Sequence, residues 1–134
     1  MTEPKVYISY SHPDGAWARK FAQRLTELGL NAWFDQLSIP LGQDRAEATE
    51  KGLRESDIVV FLINQDNVNS PNLLFELGAA LAMKKTIVPV ISQDEPIPQL
   101  PFPLLRRQGL VRTSPEETAQ EFARAIEAVS QEAA

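Results

Sequence analysis

Residues 57–63 read Asp-Ile-Val-Val-Phe-Leu-Ile, so apolar side chains follow one another without a polar interruption after Asp57. A strand with one face in water alternates apolar and polar residues, whereas this run is apolar on both faces. Such a run is typical of a central parallel strand that helices cover on each side. The polar residues 64–70 that follow predict a loop at the carboxyl end of this strand.

The segment after this loop predicts a helix that begins at Pro71. Ser70 is a good N-cap, and proline is well tolerated at the first helical position. Apolar residues continue to Ala82, and Lys84-Lys85 suit the negative end of a helix dipole. A fourth strand is predicted over residues 86–91, although Pro89 lacks a backbone donor there.

The rest of the chain also alternates strands and helices. The remaining predicted elements are strands over residues 5–10, 31–34 and 109–111 and helices over residues 16–28, 43–54 and 115–129. Gly29 ends the first helix, and Ser114-Pro115-Glu116-Glu117 is a capping box for the last one. Loops are predicted over residues 35–42 and over the proline-rich stretch 96–103.

This order predicts an α/β protein with a flavodoxin-like, five-stranded parallel sheet in the order 2-1-3-4-5 and helices on both faces. We expect one domain over residues 1–134, with its core between residues 5 and 130. Ligands of such sheets bind outside the carboxyl ends of the strands, where the strand order reverses. The loops that meet there begin at Tyr10-Ser11, at Asp35 and at Asn64.

Glu76 is a single carboxylate within the almost wholly apolar helix 71–82. Its neighbours one turn away are Asn72 and Leu73 on one side and Ala79 and Ala80 on the other. By itself this pattern allows two interpretations: an acid on an exposed stripe of the helix, or an acid in the floor of a pocket. Because the helix leaves the loop at the strand-order reversal, the topology favours the pocket.

Composition excludes several functional classes. The net charge of −5 argues against general binding to nucleic acid or to anionic membranes. There is no cysteine, which suits a cytoplasmic protein, and His12 is the single histidine, so no metal site is expected. Phosphate-binding glycine motifs are absent, and the first and third strands end without the acids of a phospho-acceptor receiver domain.

Four segments together resemble the Toll/interleukin-1 receptor (TIR) domain family. Residues 6–11 resemble the opening motif of the family. Residues 28–42 resemble its second strand and the BB loop that follows, and residues 55–60 resemble the segment that leads into its third strand. Residues 70–78 with 87–90 look like the family's αC helix and fourth strand. The Asn-x-x-Phe-Glu-Leu-Gly form of residues 72–78 looks more like the bacterial branch than the animal receptor branch.

The resemblance implies an activity as well as a fold. Many bacterial and plant TIR domains hydrolyse or cyclise NAD+ through a glutamate on αC, and Glu76 falls on that position. NAD+ is then a substrate, and no cofactor is expected. The substrate-binding residues that the resemblance and the topology imply are Tyr10, Ser11, Asp35, Ile39, Gly42 and Asn72. Many enzymatic members have tryptophan where this chain has Asn72.

The BB loop carries Leu37, Ile39 and Leu41, and three aliphatic residues on a loop either tuck inward or meet a partner. By analogy with enzymatic relatives, we expect other TIR domains as partners, in a homo-oligomer or filament, and higher activity on assembly. A role in bacterial defence or signalling goes with this expectation. The alternatives are a non-catalytic module that acts by homotypic assembly and an enzyme similar to nucleoside deoxyribosyltransferases.

Overall fold

The computed structural model of the chain describes residues 4–33, 41–42, 44–92, 102–105 and 107–133. Within these ranges its strands are β1 (Lys5–Ser9), β2 (Asn31–Trp33), β3 (Ile58–Ile63), β4 (Thr86–Ser92) and β5 (Leu110–Arg112). Its helices are α1 (Gly15–Glu27), α2 (Arg45–Glu55), α3 (Pro71–Ala82), α4 (Phe102–Leu105) and α5 (Pro115–Ala133), and a short 3-10 helix (His12–Asp14) joins β1 to α1.

The strands form one sheet in the order β2-β1-β3-β4-β5, as predicted. All four neighbouring pairs are parallel, with Val6 beside Ile58 and Ile58 beside Thr86 in the register. Every residue of β3 is buried, which confirms the central strand that the apolar run predicted. The strand order reverses between β1 and β3, as predicted, and this is the position at which such sheets bind ligands.

Alternate residues of the central strands contribute to two apolar clusters, one on each face of the sheet. One face packs Val60 and Leu62 against α1 and α5, where the rings of Phe21 and Phe122 lie 6.1 Å apart, edge to face. The opposite face packs Val59, Phe61 and Ile63 against α2, α3 and α4. This division follows from the period-two alternation of side chains along a strand, and it fixes α3 firmly on the sheet.

The proline in β4 is tolerated because of its position in the ladder. Pro89 is paired with Phe61 of β3, but β5 pairs with β4 only from Val90 onwards. Gly109 passes so close to Pro89 that a Cβ atom at position 109 would lie 2.2 Å from the Pro89 carbonyl oxygen. The edge strand β5 can therefore approach β4 here only with glycine at position 109.

Most predicted boundaries differ from the structure by at most two residues, but α5 extends four residues beyond its predicted end. Two short elements were not predicted: the 3-10 helix and α4. The helix α4 begins within the stretch 96–103 that was predicted as loop and extends beyond it to Leu104, which is buried, and Leu105. Phe34 and most of the predicted loop 35–42 lie outside the described residues, which include only Leu41 and Gly42 of that loop. Within the described part of the chain, no helix is both long and apolar enough to cross a membrane.

Candidate active site

A cleft of about 260 Å³ lies at the carboxyl ends of β1 and β3, beside the first two turns of α3. It is lined by Ser9, Tyr10, Ser11, Pro13, Asp66, Asn67, Ser70, Asn72, Leu73 and Glu76. The lining thus comes from the loop after β1, the loop after β3 and the helix that follows the latter. Most of the lining residues have polar side chains, and one of them is a carboxylate that is almost wholly buried.

Glu76 belongs to the buried side of α3. Its relative exposure is 4%, whereas Leu74 and Phe75 of the same helix are 45% and 49% exposed. The alternative in which Glu76 lies on an exposed stripe is therefore wrong: that stripe is apolar, and the acid faces inward. Glutamate is rarely buried in proteins, and buried acids in clefts are frequent at functional sites, so Glu76 is a candidate functional residue.

The start of α3 fixes where Glu76 lies. The Oγ atom of Ser70 accepts a hydrogen bond from the Leu73 amide at 3.1 Å, and Pro71 occupies the first helical turn. Leu73 and Leu77 are buried in the apolar cluster on this face of the sheet. Because a capped and packed helix has little freedom to turn about its axis, the Glu76 carboxylate is held toward the cleft.

The loop after β3 is organised by Asn64, which is 7% exposed. Its side-chain carbonyl accepts the amides of Asp66 at 2.8 Å and Asn67 at 2.9 Å. Its side-chain amide donates to Ser11 Oγ at 3.1 Å and to Asp14 Oδ2 at 2.9 Å. Asn64 thereby connects the two loops that form opposite walls of the cleft.

Asn67 completes this arrangement from within the same loop. Its Oδ1 atom accepts a hydrogen bond from the backbone amide of Asn64 at 2.9 Å, and its Nδ2 atom donates to the Leu62 carbonyl at 2.8 Å. These two bonds hold the loop against the end of β3. The wall that carries Asp66 and Asn67 is thus built from reciprocal hydrogen bonds between side chain and backbone.

Four of the predicted site residues come together in the cleft: Tyr10, Ser11, Asn72 and Glu76. Gly42 is exposed, with φ at +88°, and does not line the cleft in the described structure. Asp35 and Ile39 lie outside the described residues. Prediction from the sequence missed Asp66 and Asn67, although their loop was correctly predicted to begin at the crevice.

The described residues offer no candidate metal centre. Among them, no group of three or more histidine, aspartate or glutamate side chains is arranged to hold a metal ion.

Comparison with known proteins gives relatives of two kinds: a curated protein of similar sequence and solved structures of similar fold. The 2′ cyclic ADP-D-ribose synthase AbTIR of Acinetobacter baumannii is 27% identical over 96 residues, which cover 66% of this chain and 36% of that protein. The chain thus corresponds to little more than a third of this curated relative.

Two of the solved structures that share the fold illustrate the range of relatives. A metazoan TIR-STING receptor from C. gigas in complex with 2′,3′-cGAMP superposes with a TM-score of 0.75 at 20% identity, over 90% of this chain and 38% of that one. The CMP N-glycosidase BcmB of Clostridium botulinum superposes with a TM-score of 0.62 at 19% identity, over 88% of this chain and 96% of that one.

The family follows from the sequence match itself. A family model of the TIR domain matches residues 6–128, which is nearly the whole chain. The match includes every strand and the cleft residues described above, so the resemblance of the four segments is confirmed. The chain belongs to the TIR domain family.

Proposed function

We propose that this chain cleaves the bond between nicotinamide and ribose in NAD+, with Glu76 as the catalytic carboxylate. The observation that carries the proposal is the burial of Glu76 in the lining of the crevice between β1 and β3. Membership of the TIR family and the similarity to a 2′ cyclic ADP-D-ribose synthase support NAD+ as the substrate.

One carboxylate is chemically sufficient for this reaction. Ordinary glycoside hydrolysis uses two carboxyl groups, because one must protonate the leaving oxygen. The nicotinamide of NAD+ is a cationic pyridinium, so it leaves as a neutral molecule when the bond electrons pass to its nitrogen. What needs stabilising is the positive charge that develops on the ribose. A buried anion does this best where water is excluded and the effective dielectric constant is low.

The nucleophile that completes the reaction determines the product. Attack by water forms a carbon–oxygen bond, releases a proton and gives ADP-ribose. Attack by an adenine nitrogen of the same molecule gives a cyclic ADP-ribose instead. The name of the relative AbTIR specifies a 2′ cyclic product, and closure at that position would use a ribose hydroxyl. All three products belong in the assay.

The deciding experiment compares the native chain with Glu76→Gln during incubation with NAD+. The substitution keeps the shape of the side chain and removes its charge, so we expect turnover to fall by about 10²–10³-fold, the usual effect of losing one transition-state stabilising group. Glu121→Gln, an exposed position on α5, is the matched control and should be neutral. Products are separated by chromatography and identified by mass.

Two other outcomes would change the assignment. If Glu76→Gln retained native turnover, Glu76 would have no part in the chemistry. If the native chain left NAD+ intact even when concentrated, the alternative of a non-catalytic assembly module would be preferred, and the exposed apolar residues Leu74 and Phe75 favour that alternative.

Parallel incubation with CMP tests the activity for which the BcmB structure is named. Bacterial defence, signalling and a cytoplasmic location stay predictions.

A further inference from the structure

A buried carboxylate lies behind the cleft, outside its lining. Asp14, in the 3-10 helix between β1 and α1, is 8% exposed. Its Oδ2 atom accepts a hydrogen bond from Nδ2 of the Asn64 side chain at 2.9 Å, and its Oδ1 atom accepts one from Arg112 Nη1 at 2.8 Å. The two oxygens therefore serve two different partners, one from the centre of the sheet and one from its edge.

Arg112 is itself held in place at the end of β5. Its guanidinium lies 4.6 Å from the centroid of the Trp17 ring, and the Trp17 indole donates to the Thr113 carbonyl at 3.1 Å. The ion pair with Asp14 is shielded, because the side chains of Arg112 and Asp14 are 19% and 10% exposed. A shielded pair with a stacked arginine is well oriented and loses little to solvent screening.

Asp14 determines the orientation of the side-chain amide of Asn64. An ionised carboxylate only accepts hydrogen bonds, so the atom of Asn64 that faces it must be the nitrogen. The Asn64 oxygen then faces the amides of Asp66 and Asn67, as observed. Reversing the Asn64 amide would place oxygen against carboxylate and nitrogen against two backbone donors. The orientation of one side chain thus fixes the loop that forms a wall of the cleft.

We propose that Arg112, Asp14 and Asn64 form a positioning relay that holds the loops after β1 and β3 at the correct separation for the ligand beside Glu76. None of the three is a catalytic residue; each acts through the next, and the relay connects the edge strand β5 to the cleft. Its kinetic consequence rests on the proposed NAD+ cleavage, whereas its structural consequence does not.

The first test exchanges the carboxylate at position 14 and the amide at position 64. Asn64→Asp alone places a second carboxylate against Asp14, and we expect KM for NAD+ to rise about tenfold with kcat changed less than about threefold, because the walls contribute to ground-state binding. In the double variant Asp14→Asn with Asn64→Asp, the amide at position 14 can donate to the carboxylate at position 64 and still accept from Arg112. We expect KM to return to within about threefold of the native value.

A purely structural role would behave differently. Partial unfolding lowers the amount of active enzyme, so apparent kcat would fall while KM stayed at its native value. That result, or a folded double variant that fails to recover, would overturn the relay.

The second test does not depend on NAD+. Amide hydrogen exchange reports local opening, and the amides of Asp66 and Asn67 are those that Asn64 accepts. We expect both to exchange about tenfold faster in Asn64→Asp and to recover in the double variant. If the native chain does not cleave NAD+, the proposed function fails, while this measurement still decides the relay. Unchanged exchange in Asn64→Asp contradicts it.

A milder variant covers the case in which Asn64→Asp does not fold. Arg112→Lys keeps the charge but loses the planar group that stacks on Trp17 and bonds Asp14. We expect faster exchange at Asp66 and Asn67, whereas Arg124→Lys, at an exposed position on α5, should leave both amides unchanged. Equal exchange in the two lysine variants would remove Arg112 from the relay.

Discussion

Asn72 is an exposed residue of the cleft lining, one helical turn before Glu76. Many enzymatic TIR domains, to which this chain is similar, have tryptophan at this position. An asparagine offers hydrogen bonds but no flat apolar surface, so it cannot stack on an aromatic ring of a ligand. The position therefore bears on how strongly the cleft would bind the proposed substrate NAD+, which contains two aromatic bases.

We expect Asn72→Trp to lower KM for NAD+ by roughly fivefold, since an aromatic pair contributes about 1 kcal/mol beyond the area it buries. The value of kcat should change little, because stacking on a base stabilises ground state and transition state alike. Initial rates over a range of NAD+ concentrations give both constants. Asn72→Ala is the control for loss of the amide, and an unchanged or higher KM in Asn72→Trp would contradict the expectation.

At the scale of single residues, the sequence was informative only where topology constrained the outcome. The strand-order reversal correctly predicted that Glu76 would face a crevice. The helix has more apolar residues than its buried face can hold, and the pattern could not indicate that Leu74 and Phe75 would be the exposed ones. The bonds of Asn64 depend on Ser11 and Asp14, which are 53 and 50 residues away in the chain.

Two helices of the protein end in the same backbone motif. At the end of α1, Gly29 has φ at +91°, and the Leu30 amide donates to the Leu25 carbonyl at 2.9 Å. At the end of α3, Lys84 has φ at +57°, and the Lys85 amide donates to the Ala80 carbonyl at 3.0 Å. Both are Schellman motifs, in which a residue in the left-handed region follows the helix. Glycine adopts that conformation freely, whereas lysine is strained there.

Lys84→Gly should therefore stabilise the protein. We expect the free energy of unfolding to rise by about 0.5–1 kcal/mol, because relief of the left-handed strain exceeds the entropy that glycine adds to the unfolded chain. Gly29→Ala at the matching position of α1 should lower it by about 1 kcal/mol. Urea denaturation measures both changes. A lower stability in Lys84→Gly would show that the lysine side chain contributes more than its backbone costs.

At the scale of elements, prediction succeeded for every strand and for the four longer helices. It missed the short 3-10 helix and α4. It failed for α4 because closely spaced prolines in residues 96–103 are a strong loop signal. Arg107 Nη1 donates to the Pro103 carbonyl within this one-turn helix at 2.7 Å, which is a local contact. The burial of Leu104, which is 1% exposed, is a tertiary contact that no local pattern carries. Pro89 weakened the prediction of β4 because proline has no backbone donor. The structure accommodates it because β5 pairs with β4 only from Val90 onwards.

Seen whole, the molecule has apolar side chains on its surface that its own core does not use. Leu41 is fully exposed beside the part of the BB loop that lies outside the described residues, and Leu74 and Phe75 are about half exposed on α3. Exposed apolar groups of this size favour association. The net charge of −5 opposes it, since identical copies repel one another at low ionic strength. If the chain assembles, these two opposing contributions determine the concentration at which assembly begins.

If assembly completes the site, NAD+ turnover per subunit should rise with protein concentration over about 1 to 200 µM, the range of weak association. Added salt should shift this rise to lower concentration, because it screens the repulsion between copies. Leu41→Asn should flatten the rise, whereas Val111→Thr, which removes apolar surface from an exposed position on β5, should not. Sedimentation velocity on the same samples measures the size of the species. Constant turnover across a monomer-to-oligomer transition would separate activity from assembly and leave each subunit with a complete site of its own.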